Sequence, residues 1–243
     1  MKTLVNSSKK IAIVSKLLEK IPDGLDAIHI DVIDKRPENN DGISLKTLGE
    51  FAKKILEEIE LYFCDKKLHG LHFLVTSGPT REPLDPVRFI GNRSSGLQGE
   101  AIAKELIAKG AEVTFVTGPV DLEPPRGSNV IRVETADEMY DAVHSSLPAD
   151  VAIFTAAVAD WKIKNTNDQK LKKQTDKLPT FDLIENKDIL ASVSKLKKNR
   201  PKFVMGFAAE TGNILENAKS KLKKKGCDCI VANDVSLGTK TMG

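Results

Sequence analysis

From His72 onward the sequence predicts an α/β fold, doubly wound about a mostly parallel sheet. Three observations carry that prediction. Short β-rich runs alternate with stretches of helical periodicity through the whole region. Single helices separate successive strands, which implies parallel βαβ units with right-handed crossovers. Val151-Ala152-Ile153-Phe154 is apolar throughout, as a central strand covered on both faces should be.

Taken in order, strands are expected at Phe73–Thr76, Glu112–Thr117, Val130–Val133, Val151–Thr155, Phe203–Gly206 and Cys229–Ala232. Helices are expected at Leu97–Lys109, Ala136–Ser145, Asp188–Lys197 and Gly212–Lys225. In the first helix Ala101, Ile102, Leu106 and Ile107 share one face, and Gly110 stands where a left-handed cap belongs. Two regions depart from the rhythm. After Val151–Thr155, where a helix is due, Trp161–Ile184 runs through Lys-rich polar sequence. There Lys170-Leu171-Lys172-Lys173 and Thr180-Phe181-Asp182-Leu183 alternate, with Lys177-Leu178-Pro179 between them. Two alternating arms predict a projecting Lys-rich hairpin. Residues 1–70 hold candidate strands Ile11–Val14 and Ile28–Val32, a polar loop at Arg36–Gly42, and an amphipathic helix from about Leu45 to Phe63. They read as an N-terminal extension or connecting segment, and residues 71–243 as the principal domain.

At 243 residues and 40% hydrophobic content the chain can bury one substantial core. Lys+Arg of 37 against Asp+Glu of 34 leaves +3, too balanced to point to nucleic acid. The lysines gather at Lys162–Lys177 and Lys195–Lys225, and such runs are usually solvated faces. Cys64, Cys227 and Cys229 have no zinc-like spacing and read as buried thiols rather than a disulfide. No stretch resembles a signal peptide or a membrane span, so a cytoplasmic setting is expected.

The first strand gives way to Thr76-Ser77-Gly78-Pro79-Thr80, then to a long polar connection carrying Arg81, Arg88, Asn92 and Arg93. Ser94-Ser95-Gly96 then opens a helix. Glycine accepts positive φ and lets a ligand approach the backbone, while a helix N-terminus presents unpaired N–H groups. Together these predict an anion site, most often for phosphate, and hence a nucleotide or other phosphate ester. Sheets of this class bind ligands beyond the carboxyl ends of their strands. That rule gathers Ser77–Thr80, Gly118-Pro119, the end of the central strand (Phe154, Thr155), Ala156–Asp160, Phe207–Thr211 and Asn233-Asp234. Small residues at Ala156–Ala159 either leave backbone groups open to read a base edge or simply allow close packing. Phe207 either covers a base or belongs to the core, and Glu210 either caps the next helix or meets ligand. Lys221 and Lys225 share a helix face; with Lys170 they are either point charges for phosphate or surface lysines. Ser95-Gly96-Leu97-Gln98-Gly99 lies about twenty residues beyond the first strand, so it is not the usual Rossmann dinucleotide fingerprint, and no Walker-type loop is present.

Five segments, SGPTREPLDPVRFIGNRSSGLQG, AAVADW, KLKK, GFAAET and ANDVS, occur in this order. With them the region from about Leu71 onward resembles phosphopantothenoylcysteine synthetase, in many bacteria the second half of a bifunctional coenzyme A biosynthesis protein. The resemblance implies a Rossmann-like fold and a two-step ligation. 4′-Phosphopantothenate attacks the α-phosphate of CTP to give an acyl-cytidylate and pyrophosphate, and the amine of cysteine then displaces CMP, with Mg²⁺ bridging phosphate oxygens. By the same resemblance Asn92 holds the acyl-cytidylate, Arg88 serves its conversion, and Lys170 is an essential lysine at the nucleotide. Ala156 and its neighbours, Gly78, Phe154 and Thr155 among the strand ends, and Asp160 fall in the nucleotide site. Lys187-Asp188-Ile189-Leu190 lies near the base, Phe207, Lys221 and Lys225 contact nucleotide, and Ser94, Ser95 and Gly96 lie near phosphate. No metal ligands are assigned.

Homodimerisation is implied too, with the hairpin crossing toward the partner. Residues 1–70 are too short for the flavin-dependent decarboxylase that usually precedes the synthetase, so a separate decarboxylase is an implied partner. The family pattern continues beyond Met242-Gly243, so a shortened C-terminus is expected. Leu97 stands where relatives often carry Lys, and Lys187 where they carry Pro. ATP remains open beside CTP. An NAD(P)-dependent oxidoreductase and a non-catalytic nucleotide-binding module are the alternatives.

Overall fold

The computed structural model describes residues 67–172 and 180–236. The expected strands Ile11–Val14 and Ile28–Val32, the helix near Leu45–Phe63 and the turn at Lys177-Leu178-Pro179 lie outside the described residues. In chain order the elements are β1 (His72–Ser77), β2 (Arg81–Pro83), β3 (Phe89–Gly91), α1 (Leu97–Ala108), β4 (Glu112–Thr117), β5 (Asn129–Arg132) and α2 (Ala136–Ser145). There follow β6 (Val151–Phe154), β7 (Trp161–Ile163), β8 (Leu183–Glu185), α3 (Ile189–Ser194), β9 (Phe203–Glu210), α4 (Ile214–Lys225) and β10 (Cys229–Asp234).

The main sheet has the order β10-β9-β6-β1-β4-β5, and every pairing in it is parallel. The chain winds outward from β1 through β4 to β5, returns, and winds the other way through β6, β9 and β10. The doubly wound class is therefore as expected. The reversal falls between β1 and β6, the switch point at which such sheets open a ligand crevice.

Side-chain alternation lets β1 serve two cores at once. Leu74 packs with Met139 and Val143 of α2, Ile189 and Val193 of α3, and Val204 of β9. Phe73 and Val75 point the other way, to Ala103 of α1, Val113, Phe115 and Ile153. Each such side chain, fully buried, stabilises by about 1.5–3 kcal/mol. The start of α2 is fixed by three acceptors: Thr135 Oγ1 takes the Glu138 N–H, the Glu138 carboxylate takes the Glu134 N–H, and buried Glu82 takes the Ala136 N–H. α4 ends at Gly226, whose φ of 75° suits a left-handed cap.

Four boundaries differ from expectation. The antiparallel pair β2–β3 interrupts the path from β1 to α1, which is why the helix begins so far beyond the strand. The hairpin exists, but among the described residues its paired strands are β7 and β8, which leave out Lys170–Lys172 and share only Leu183 with the expected second arm. Lys170, Leu171 and Lys172 are in no strand. The backbone of Leu171 is engaged by Asp85 and Arg88 instead, while pairing forms nearer the core, where Ile163 is buried. β9 runs on to Glu210 because Leu190 and Ile230 fill the space beside Gly206 and pairing with β10 continues. α3 stops at Ser194, whose carbonyl accepts from Arg200 Nε. No helix among the described residues is long and apolar enough to cross a membrane.

Candidate functional site

Past the sheet's carboxyl edge the chains leaving β1 and β6 stay zipped together. Thr155 N–H and Oγ1 both donate to Thr76 O, Ala157 N–H to Gly78 O, Thr80 N–H to Ala157 O, and Ala159 N–H to Thr80 Oγ1. Two side chains from further away take the next carbonyls: Asn92 Nδ2 donates to Val158 O at 3.0 Å, and Asn186 Nδ2 to Ala159 O at 2.9 Å. Most of the backbone at Ala156–Ala159, expected to stand open for a base, is thus spent on holding this segment in place.

The zipper forms one wall of a cleft of about 470 Å³. Phe154, Ala156, Asp160, Lys187, Asp188, Ile189, Leu190, Phe207, Lys221 and Lys225 line it, all of them residues singled out in the sequence. Phe207 does so from the strand, while its ring packs against the α1-side core, so the core alternative holds for the side chain. Trp161, Glu185, Asn186 and Lys224 also line the cleft and were missed. Trp161 is 54% exposed, an unusual place for the largest aromatic side chain. Its position directly after Asp160 was the available signal.

Other predicted residues fall elsewhere. Gly78, Gly96 and Thr155 belong to a tightly packed corner at the start of α1, with Ser94 and Ser95 partly exposed beside it. Ser77 Oγ donates to Gly96 O, and a Cβ on Gly99 would come within 2.6 Å of Thr155 Oγ1. The adjoining pit, lined by Ser77, Gly96, Thr117 and Val120, has a volume of about 10 Å³, room for a single water at most. Gly96 caps α1 with φ 78° and no side-chain bond. Asn92 is exposed and joins the cleft through Val158. Arg88 and exposed Lys170 do not line the cleft; they are brought near each other through Leu171.

Three of the lysines that line the cleft, Lys187, Lys221 and Lys225, are held by carboxylates. Lys187 meets Asp137 Oδ1 at 3.3 Å and lies 4.5 Å over the Tyr140 ring, and Lys162 pairs with the other Asp137 oxygen. Lys221 meets Glu210 Oε1 at 2.7 Å, while Asn217 Nδ2 donates to Oε2. Lys225 pairs with Asp188, which also caps α3 through the Ala191 N–H. Hydrogen bonding to Lys162 lowers the Asp137 pKa, and Lys221 does the same for Glu210. Glu210 thereby ties α4 to the end of β9. Partly exposed pairs of this kind contribute about 0–1 kcal/mol each, so a phosphate can take over these lysines at little cost. A basic wall on α4 facing an apolar, small-residue wall suits a nucleotide, with phosphates on one side and a base on the other.

Residues 68–243 match the model of the DNA/pantothenate metabolism flavoprotein C-terminal domain. The chain is 45% identical over 188 residues to the coenzyme A biosynthesis bifunctional protein CoaBC of Haemophilus influenzae, covering 76% of this chain and 46% of that protein. It is 47% identical over 180 residues to the protein of the same name from Vibrio vulnificus, covering 73% and 45%. The chain thus spans about half the length of these curated relatives. Among solved structures it is similar to the C-terminal domain of coenzyme A biosynthesis bifunctional protein CoaBC, with a TM-score of 0.61 and 40% identity over 71% of this chain and 81% of that one. Nothing in this kinship favours the oxidoreductase alternative. With fold, switch-point cleft and sequence in agreement, this chain belongs to the DNA/pantothenate metabolism flavoprotein C-terminal domain family, the family of the C-terminal domain of the bifunctional coenzyme A proteins.

Proposed function

We propose that this protein joins 4′-phosphopantothenate to L-cysteine through 4′-phosphopantothenoyl-CMP, using CTP. A carboxylate oxygen of phosphopantothenate bonds to the α-phosphorus of CTP as the bond to the β-phosphate breaks and pyrophosphate leaves. The cysteine amine then attacks the acyl carbon, CMP departs with the bonding pair, and the amine loses a proton. The chain's share is to position the reactants and stabilise developing phosphate charge. In this reading Ala156–Asp160 and Lys187–Leu190 hold the base, Lys221, Lys224 and Lys225 face the phosphates, and Asn92 holds the acyl-cytidylate.

The observation that carries the reading is convergence: Ala156, Asp160, Lys187, Phe207, Lys221 and Lys225, spread over 70 residues, line one cleft beside the switch point. Its 470 Å³ falls in the range of small-molecule sites. Among the described residues no three His, Cys, Asp or Glu side chains are grouped to cage a metal. Mg²⁺ would accordingly be held mainly by the phosphates, with Asp160 and Glu185 among the exposed carboxylates at hand, and would offset their charge.

The proposal extends to a homodimer in which the β7–β8 hairpin carries Lys170 toward a partner's site, to a separate phosphopantothenoylcysteine decarboxylase as supplier of the next step, to residues 1–70 as a connecting segment, and to a cytoplasmic setting. The test is to incubate the protein with 4′-phosphopantothenate, cysteine, Mg²⁺ and each of CTP, ATP, GTP and UTP, and to quantify nucleoside monophosphate and pyrophosphate. CMP formed in step with the amide product is expected. No nucleotide-dependent product, where a control ligase works, rejects the reading.

A further inference from the structure

The loop after β2 contains a carboxylate that the ligation scheme does not use. The Asp85 side chain is fully buried, although the loop around it is polar and exposed. Its Oδ1 accepts from the Val87 and Arg88 N–H groups, both at 2.9 Å, an ordinary local turn. Its Oδ2 does something a turn does not require. It accepts from Arg88 Nε and Nη2 and also, at 3.1 Å, from the N–H of Leu171, 86 positions along the chain. Arg88 Nη2 in turn donates to Leu171 O at 3.0 Å. Asp85 and Arg88 therefore grip both polar groups of one residue, and that residue follows Lys170.

The geometry points to Asp85 as a positioning residue that locks Arg88 and the Lys170-Leu171 strap into one unit, so that both cations are presented in fixed register to a nucleotide, in the proposed dimer the one at the partner's site. The inference rests on the ligase reading for what the unit acts on, but not for the lock itself. Charge-assisted bonds of this kind are roughly twice as strong as neutral ones, and a buried carboxylate must keep all its donors. Hydrogen bonding from Arg88 holds the Asp85 carboxyl well below the usual carboxylate range, so the lock stays charged into mild acid. The same loop leads into β3, and Asn92, expected to hold the intermediate, follows that strand four residues beyond Arg88.

The test compares the full-length chain with Asp85→Asn, Arg88→Lys and the double variant. Asp85→Asn keeps the shape and the local turn but removes the charge. Three readings are taken: amide hydrogen exchange of the Leu171 N–H, the thermal midpoint, and ligation kinetics with CTP, 4′-phosphopantothenate, cysteine and Mg²⁺. Expected are at least tenfold faster exchange at Leu171 with global folding retained, a rise in KM for CTP of at least tenfold, and a double variant no worse than the weaker single one. Unchanged exchange at Leu171 in Asp85→Asn overturns the inference. A fall in kcat with KM unmoved does so too, because that is what a smaller folded fraction produces. Effects that multiply in the double variant likewise exclude a shared lock. If the wild-type chain makes no product, the ligase reading fails and the exchange measurement alone decides the role of Asp85.

Discussion

Two regions flank the carboxyl end of β1, both rich in small residues, and they have opposite fates. On the α1 side, Gly78, Gly96, Gly99 and Gly118 bring four segments into contact, and a volume of about 10 Å³ is left. On the β6 side, Ala156–Ala159 border an opening of about 470 Å³. A run of small residues is therefore ambiguous by itself. What decides is whether a neighbouring element fills the vacated space. Here α1 does so on one side, through Gly99 against Ser77 and Thr155, and the helices on the other side stand back.

That contrast can be broken most sharply at Gly118. A Cβ there would lie 1.7 Å from Pro79 O, a backbone atom that cannot swing aside. Gly118→Ala is expected to cost on the order of 3 kcal/mol or more in denaturant unfolding. A loss under about 1 kcal/mol would mean that the corner is not closed as described. Ala156→Val on the open side should leave stability within about 1 kcal/mol of wild type while lowering nucleotide-dependent turnover about tenfold or more, since the added methyls enter the cleft. Destabilisation without loss of CTP affinity would place Ala156 with the packed residues instead.

Lys221→Gln is next in size: a roughly tenfold weaker CTP titration is expected, with about 1 kcal/mol lost in unfolding, because the lysine is 42% exposed but the Glu210 carboxylate it leaves behind is only 11% exposed. Affinity equal to wild type would remove α4 from the phosphate side. A smaller effect is expected in acid. Asp85, Asp137, Asp150 and Glu210 all titrate below their unfolded values, each held down chiefly by a hydrogen bond, from Arg88, Lys162, the His72 N–H and Lys221 respectively. Their contribution is fully present above the unfolded carboxylate pKa of about 4 and is lost as pH falls through the lower folded values. Unfolding midpoints that stay flat from pH 5 to pH 2.5 would contradict this. The smallest effect belongs to His144, whose pKa is lowered by burial between α2 and α3. Because the unfolded chain protonates first, stability should decline slightly as pH falls below about 6.5, and His144→Gln should abolish that slope.

The sheet was legible because its strands are apolar runs flanked by amphipathic helices, and each of the six expected strands is present within a few residues. β2 and β3 were not legible. Three residues each, with Pro83 in one and Gly91 in the other, they carry no pattern, and only their mutual register reveals them. The true arms of the hairpin were overlooked for a related reason: Lys170–Lys173 alternates well in sequence, yet the backbone partners of Leu171 are a carboxylate and a guanidinium far away in sequence. In the site, the lysines and small residues at strand ends were readable because topology sends strand ends to one edge. Asn186 and Lys224 were not, since nothing local distinguishes an asparagine that braces Ala159 O, or one helical lysine among five, from a solvated neighbour. The glycines and serines before α1 were read as an anion site; the structure shows Gly96 and Gly99 buried against Ser77 and Thr155, with Ser94 and Ser95 partly exposed beside them.

Trp161 is the chain's single tryptophan, and it stands half in solvent at the edge of the cleft. An indole so placed emits as a water-exposed fluorophore, and any occupant that displaces its hydration must change the colour or intensity of that light. The protein thus carries its own optical gauge of occupancy, one that needs no label and does not depend on turnover.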